Sequence, residues 1–160
     1  RETTVIDPGP AIPGHLAAIR QAAGRRLRHV LVTHTHPDHS PGACELAADT
    51  GAVLVGRPPP GSGPQDDSFR PDHVARDGDR LEAGEFTLEV LQTPGHASNH
   101  LCYRHVALNW LFTGDHIMQG STVVIYPPDG NMRAYLESLE RLFGLDLAAS
   151  LADAPYPKVA

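Results

Sequence analysis

The chain predicts a mixed fold of alternating strands and helices, α/β or α+β, on three observations. Short β-branched-rich runs recur at residues 4–7, 27–33, 52–56 and 86–92. Between the first of them, apolar residues return at helical spacing, and Gly24, Gly51 and Gly144 stand where the helical patterns stop. At 160 residues the chain suits a single domain over 1–160 with its own core.

Thr4-Val5-Ile6-Asp7 reads as a strand running into the turn Pro8-Gly9-Pro10. Ile12, Leu16, Ile19 and Ala23 share one helical face, and Pro13 is tolerated in the first turn. Leu27 to Thr33 is the next strand. Ser40-Pro41 reads as an N-cap followed by proline at the first helical position, opening a helix to Thr50. Ala52 to Gly56 is a strand, and Arg57 to His73 a Pro/Gly/Asp-rich loop suited to shaping a pocket. Phe86 to Gln92 alternates as a half-buried strand. Leu101–His105 and Trp110–Thr113 form a hairpin around Ala107-Leu108-Asn109. Asn131 caps a last helix whose Met132, Tyr135, Leu136, Leu139, Leu142 and Phe143 form an apolar stripe, with Glu137 and Arg141 paired outside.

Composition narrows the function. With 41% hydrophobic and 20% charged residues the chain is ordinary for a soluble globular protein, and no apolar run reaches the ~18 residues of a membrane span. A net charge of −6 argues against a protein that coats nucleic acid, so no stable DNA partner is expected, though an enzyme acting on RNA remains open. Two cysteines, Cys44 and Cys102, are too few for a disulfide scaffold and read as small buried hydrophobes. No signal peptide is visible, though a missing start would hide one, and the cytoplasm is the expected compartment. The chain starts at Arg1 inside a strand pattern, as a fragment would.

The unusual feature is ten histidines, three of them in His34-Thr35-His36-Pro37-Asp38-His39, directly after a strand. Neutral imidazole and carboxylate both bind zinc at ~2.0–2.2 Å, and iron or manganese also suit His/Asp sites. The bland alternative is a polar loop capping a strand, but so many ligand groups in six residues are costly to pack without an ion. Two other strand ends offer further ligands, His96 in Thr93-Pro94-Gly95-His96 and Asp115 in Thr113-Gly114-Asp115. Taken alone, His96 is a turn residue and Asp115 a cap; beside the cluster both read as ligands. His100 and His116 read as partners that orient ligands, and Asp7 as a supporting carboxylate. His15, His29, His73 and His105 read as surface or satisfied residues, and the basic stretch Arg20, Arg25, Arg26 and Arg28 as a solvated helix end.

These motifs, in this order and with the opening Ile6-Asp7-Pro8-Gly9, resemble the metallo-β-lactamase-fold hydrolases over residues 4–147. Asp38-His39 resembles the glyoxalase II, RNA-processing and general hydrolase branches. Gly114-Asp115-His116-Ile117-Met118, Pro127-Pro128-Asp129-Gly130-Asn131-Met132 and Tyr135-Leu136-Glu137-Ser138-Leu139 resemble bacterial members of the lactamase-beta-2-like group. The resemblance implies an αββα sandwich, incomplete at both ends, lacking the family's first hairpin and the group's C-terminal extension. It implies two zinc ions, the first held by His34, His36 and His96, the second by Asp38 and His39, with Asp115 bridging. Asp38 and Asp115 would be catalytic as well, through a metal-activated water. The family's final histidine has no counterpart after His116, where Leu151 to Pro157 would align, which sets the second ion in question. The implied substrate is a small-molecule ester or thioester, or single-stranded RNA as in an endoribonuclease of the group. A member that binds metal without catalysis is the rival class, and the oligomeric state stays open.

Overall fold

A computed structural model describes residues 2–145. The elements run β1 (Thr3–Ile6), α1 (Pro13–Ala23), a 3-10 turn at Gly24–Arg26, β2 (Leu27–Leu31), α2 (Pro41–Thr50), β3 (Val53–Gly56), β4 (His73–Val74), β5 (Arg80–Glu82), β6 (Thr87–Gln92), β7 (Leu101–His105), β8 (Trp110–Phe112), a 3-10 turn at Gly114–His116, and α3 (Met132–Phe143). One sheet is parallel in the order β1-β2-β3-β4, and the other antiparallel in the order β5-β6-β7-β8.

Successive side chains on a strand face opposite sides, and here both sides are covered. Val30, Val32 and Leu54 pack outward with Ala43, Leu46 and Phe69, under α1 and α2. Leu31 and Val55, the intervening residues, turn inward and meet Leu88, Val90, Leu101 and Tyr103 of the second sheet. Leu91 and Cys102 face away from that interface and pack beneath Leu142 of α3. The layers are therefore helix, sheet, sheet, helix, as the resemblance implied. Tyr103 is fully buried between the sheets, and its hydroxyl donates to the carbonyl of Val32 at 2.8 Å, fastening one sheet to the other.

Several local expectations need correction. Ser40 does not cap α2 through its side chain; its hydroxyl donates instead to Asp66 Oδ2 at 2.8 Å, holding the loop that follows β3. Asn131 does cap α3, accepting from the Ala134 amide. Arg141 does not serve Glu137: its guanidinium forks onto Asp77 at 2.7 and 3.0 Å, tying α3 to the β4–β5 connection. A bidentate partner on another element outcompetes a flexible neighbour one turn away. Only part of the α3 stripe is covered, for Met132, Leu136 and Phe143 are exposed. Cys44 is half-buried rather than buried. The short strands β4 and β5 have no alternation long enough to register in the sequence, and β2 ends at Leu31, so Val32 and Thr33 already belong to the loop.

Leu101 is fully buried between the sheets, whereas Val53 is 42% exposed on β3. Leu101→Ala is expected to destabilise by about 2–5 kcal/mol and Val53→Thr by less than about 0.5 kcal/mol, read by urea denaturation.

Candidate metal centre

The site lies where four chain segments leave their sheets at one end. Asp7 follows β1, residues 32–40 follow β2, Thr93 to His96 follow β6, and Asp115 sits in the 3-10 turn after β8. Two of these turns require glycine. Gly95 has φ +150° and touches α3 so closely that a Cβ would stand 2.4 Å from the Tyr135 Cα. Gly114 has φ +48°, and a Cβ there would meet Thr33 Oγ1 at 2.7 Å and His100 Nε2 at 2.8 Å. Ser138 completes the seat by donating to the Pro94 carbonyl at 2.8 Å. The helix α3 thus fixes the height at which His96 emerges.

His36 Nδ1 lies 3.0 Å from His34 Nε2 and 3.0 Å from His96 Nε2. One ring nitrogen cannot donate to both neighbours. Three nitrogens each ~2.0–2.1 Å from a tetrahedral ion stand roughly 3.3 Å apart, so the spacing suits a shared cation. His34, His39 and Asp115 form a second convergent group, and both groups keep their donor atoms within 4.8 Å of one another. The Asp115 carboxylate faces both ways: Oδ1 is 3.3 Å from His39 Nε2 and Oδ2 3.7 Å from His96 Nε2. Asp38 stands at the rim, 76% exposed, with Oδ2 3.6 Å from His39 Nε2, outside both groups.

The far sides of the rings are held. Thr33 Oγ1 donates to Asp7 Oδ2 at 2.7 Å and accepts from His34 Nδ1 at 3.0 Å. The same Asp7 oxygen accepts from His39 Nδ1 at 3.0 Å, and the other oxygen accepts from the Thr33 amide at 2.7 Å. Asp7 adopts φ +49°, unusual for a non-glycine residue, at the turn that presents its carboxylate here. His96 Nδ1 donates to the Val124 carbonyl at 2.6 Å. These bonds fix the tautomers and turn His34 Nε2, His39 Nε2 and His96 Nε2 toward the centre, as metal-binding imidazoles require.

Electrostatics follow from burial. His34 is pushed far down by burial and by the surrounding imidazoles, and His36 down by burial and His96. Burial pushes His39 down as well, but hydrogen bonds to Asp115 and Asp7 outweigh it and raise its pKa to about 10. The same contact with His39 holds Asp115 below the usual carboxylate range. Beside the rings of His34 and His96 lies His100, with His116 beyond it, both buried. Burial drives His100 well below its ordinary pKa and lowers His116 to about 4. His100 Nδ1 pairs with Thr93 Oγ1 at 2.9 Å, whereas His100 Nε2 and both nitrogens of His116 have no hydrogen-bond partner.

A cavity of about 350 Å³ opens beside this cluster, lined by His36, His96, Asp38 and Asp115 and by Pro64, Val124, Tyr126 and Asp129. Pro64 belongs to the long loop after β3, which therefore does shape the pocket. Val124 and Tyr126 carry no ligand signature and stand in no motif the sequence offered, and Asp129 stands out only within the Pro127-Pro128-Asp129-Gly130 run. Among the remaining histidines, His15 is exposed and bonds the Pro8 carbonyl, and His73 pairs with Asp79 at 3.2 Å. In the basic stretch, Arg20 is engaged by Glu45 and Asp49, and Arg28 by Glu2. The segment 151–157, aligned with the family's final histidine, lies outside the described residues.

A family model for the metallo-beta-lactamase superfamily matches residues 1–150. The chain belongs to this superfamily. Among its relatives are a hydroxyacylglutathione hydrolase of Hahella chejuensis, 35% identical over 88% of the chain and 52% of the relative, and thioesterase pkgB of Emericella nidulans, 31% identical over 74% of the chain and 32% of the relative. The chain thus spans about half the length of the curated hydroxyacylglutathione hydrolases it matches. Among solved metallo-beta-lactamase folds, TTHA1623 in a di-iron-bound form superposes with TM-score 0.68 at 26% identity, covering 88% of this chain and 75% of the other. The B3 metallo-beta-lactamase BLEG-1 superposes with TM-score 0.71 at 23% identity over 87% of this chain and 73% of the other, a likeness of fold.

Two predictions follow from the geometry. Gly95→Ala is expected to unseat α3, lowering stability by more than about 1 kcal/mol and weakening metal retention, as chelator competition would register. In chelator, the protein is expected to melt highest near pH 6.5. Below pH 6.5 the unfolded chain gains protons that His116 refuses until about pH 4, so stability falls with acid. Above 6.5 the advantage of protonated His39 is lost progressively up to about pH 10. Melting curves from pH 4 to 10 check both limbs, and His39→Gln removes the alkaline one.

Proposed function

We propose that this chain carries the catalytic centre of a metal-dependent thioester hydrolase. The observation that carries the reading is the Asp115 carboxylate dividing its oxygens between two convergent donor groups. His34, His36 and His96 would hold one ion, His39 and Asp38 would serve a second, and Asp115 would span both. Asp38 reaches that role from the rim by a side-chain rotation, since its oxygen already lies 3.6 Å from His39 Nε2. Zinc is the ion proposed, with iron or manganese compatible with the same donors. When bound, such ions lower the pKa of water and polarise a carbonyl oxygen.

The chain's own residues have clear tasks in that chemistry. Asp115 stays ionised through the working pH range because its pKa is depressed. Asp7 and Thr33 hold the rings of His34 and His39 in fixed orientations, and the Val124 carbonyl does so for His96. His100 and His116, buried and held toward the neutral form, back the cluster and keep bulk solvent from that side of it. The names of the hydroxyacylglutathione hydrolase and thioesterase relatives support a thioester substrate.

The test is metal counting and turnover on purified protein loaded with Zn(II), Fe(II) or Mn(II). Two tightly held ions per chain and hydrolysis of a hydroxyacylglutathione are expected. His96→Ala is expected to lose at least one ion and to reduce kcat/KM on the order of a hundredfold or more. One weakly held ion and no turnover would leave a metal-binding protein without catalysis. Cleavage of single-stranded RNA, with binding that weakens as salt rises, would move the substrate to nucleic acid.

A further inference from the structure

The cavity beside the metal cluster has two unlike walls. One carries the proposed ligands and the carboxylates of Asp38 and Asp115; the other is apolar, made by Pro64, Val124 and Tyr126. Tyr126 is 73% and Val124 64% exposed, so neither serves the core, yet both line the cavity. A large apolar side chain next to reacting groups gains most when a ligand covers it.

The apolar wall comes from two segments, and a polar clasp joins them. Asp129, 8% exposed, accepts on Oδ2 from Gln65 Nε2 at 3.2 Å and from the Ser98 amide at 3.1 Å. Gln65 follows Pro64 directly and accepts from Thr35 Oγ1 at 2.6 Å, while Thr35 accepts from Asn99 Nδ2 at 2.7 Å. The clasp therefore runs from the segment bearing Val124 and Tyr126, through the loop bearing Pro64, to the residue between His34 and His36. The carbonyl bond from His96 to Val124 fixes the same wall to a ligand ring. No described residue lining the cavity is Arg or Lys, and Asp129 adds a third carboxylate. An anionic acyl group would meet negative charge with nothing to offset it beyond the ions themselves.

We propose that Pro64, Val124 and Tyr126 form an acyl-selecting wall that favours uncharged, apolar acyl groups, with Asp129 as the positioning residue that holds its two halves together. The proposal rests on the thioester reading above and names the substrate class within it. Each added methylene buried on the wall should raise affinity about two- to fourfold.

The experiment uses the metal-loaded protein and acetyl, butyryl, hexanoyl and succinyl thioesters of N-acetylcysteamine. The same series is made as non-hydrolysable ketone analogues, a methylene replacing the thioester sulfur, and their binding is followed by calorimetry. kcat/KM and affinity are expected to climb from acetyl to hexanoyl, with succinyl at least tenfold below butyryl. Tyr126→Ala and Val124→Ala are expected to flatten that climb, with the loss on hexanoyl exceeding that on acetyl. Asp129→Ala should raise KM for hexanoyl more than it lowers kcat. Asp129→Asn, whose carbonyl can accept both N–H groups, should restore the preference. Turnover indifferent to acyl length, or favouring succinyl, overturns the wall and leaves the thioester reading standing. Length-dependent binding of the ketones without turnover upholds the wall and overturns the thioester reading. Neither binding nor turnover overturns both.

Discussion

Imidazoles crowded together and largely buried repel one another once charged, and the rest of the site depends on this. Burial and mutual repulsion keep His34, His36 and His100 neutral, with their lone pairs available. His39 alone is driven toward the charged form, because Asp7 and Asp115 flank it. Without a cation, the His39 ring stands between the carboxylates of Asp7 and Asp115 and offsets only part of their charge. Such a cluster is stabilised by an ion with open coordination positions, and the surroundings are arranged to keep it from collapsing otherwise.

The fold supplies that restraint from both sides. Asp7, at the end of an edge strand, serves the amide and hydroxyl of Thr33 and the ring of His39, so the end of β1 sets the orientation of the whole histidine loop. On the opposite side α3 seats itself on Gly95 and Pro94, and its distance from the second sheet decides where His96 stands. The two sheets are locked by the Tyr103 hydroxyl and the apolar layer around Leu31, Val55, Leu88 and Leu101. The candidate ligands come from both sheets, so the same core that stabilises the domain also sets the spacing of the donor atoms.

The histidine loop, His96 and Asp115 were legible because metal chemistry restricts residue types and the strands before them have clear patterns. Asp7 was legible as a supporting carboxylate, though not its double duty, which depends on a left-handed backbone turn. The long helices and the 87–92 and 101–112 strands were readable from periodicity. Ser40 and Arg141 were misread for one common reason: each has a good local partner in sequence and a better one elsewhere in space, at Asp66 or at Asp77. Met132, Leu136 and Phe143 continue the periodicity of α3 but are left uncovered by the described residues. Asp129 and Tyr126 were invisible as pocket residues, since nothing in a Pro-Pro-Asp-Gly turn says which cavity it faces.

By itself, the order of residues determined the alternation of strands and helices and the donor atoms available to an ion, which depend on periodicity and side-chain chemistry, both local properties. The layer type and the family entered through the resemblance of its motifs. Only the tertiary structure decided which donors meet, that Asp115 looks two ways while Asp38 stays at the rim, and that Pro64, Val124 and Tyr126 line one cavity with His36 and His96. Those are distances between segments far apart in the chain, set by how two sheets and a helix pack, and packing is a property of the whole.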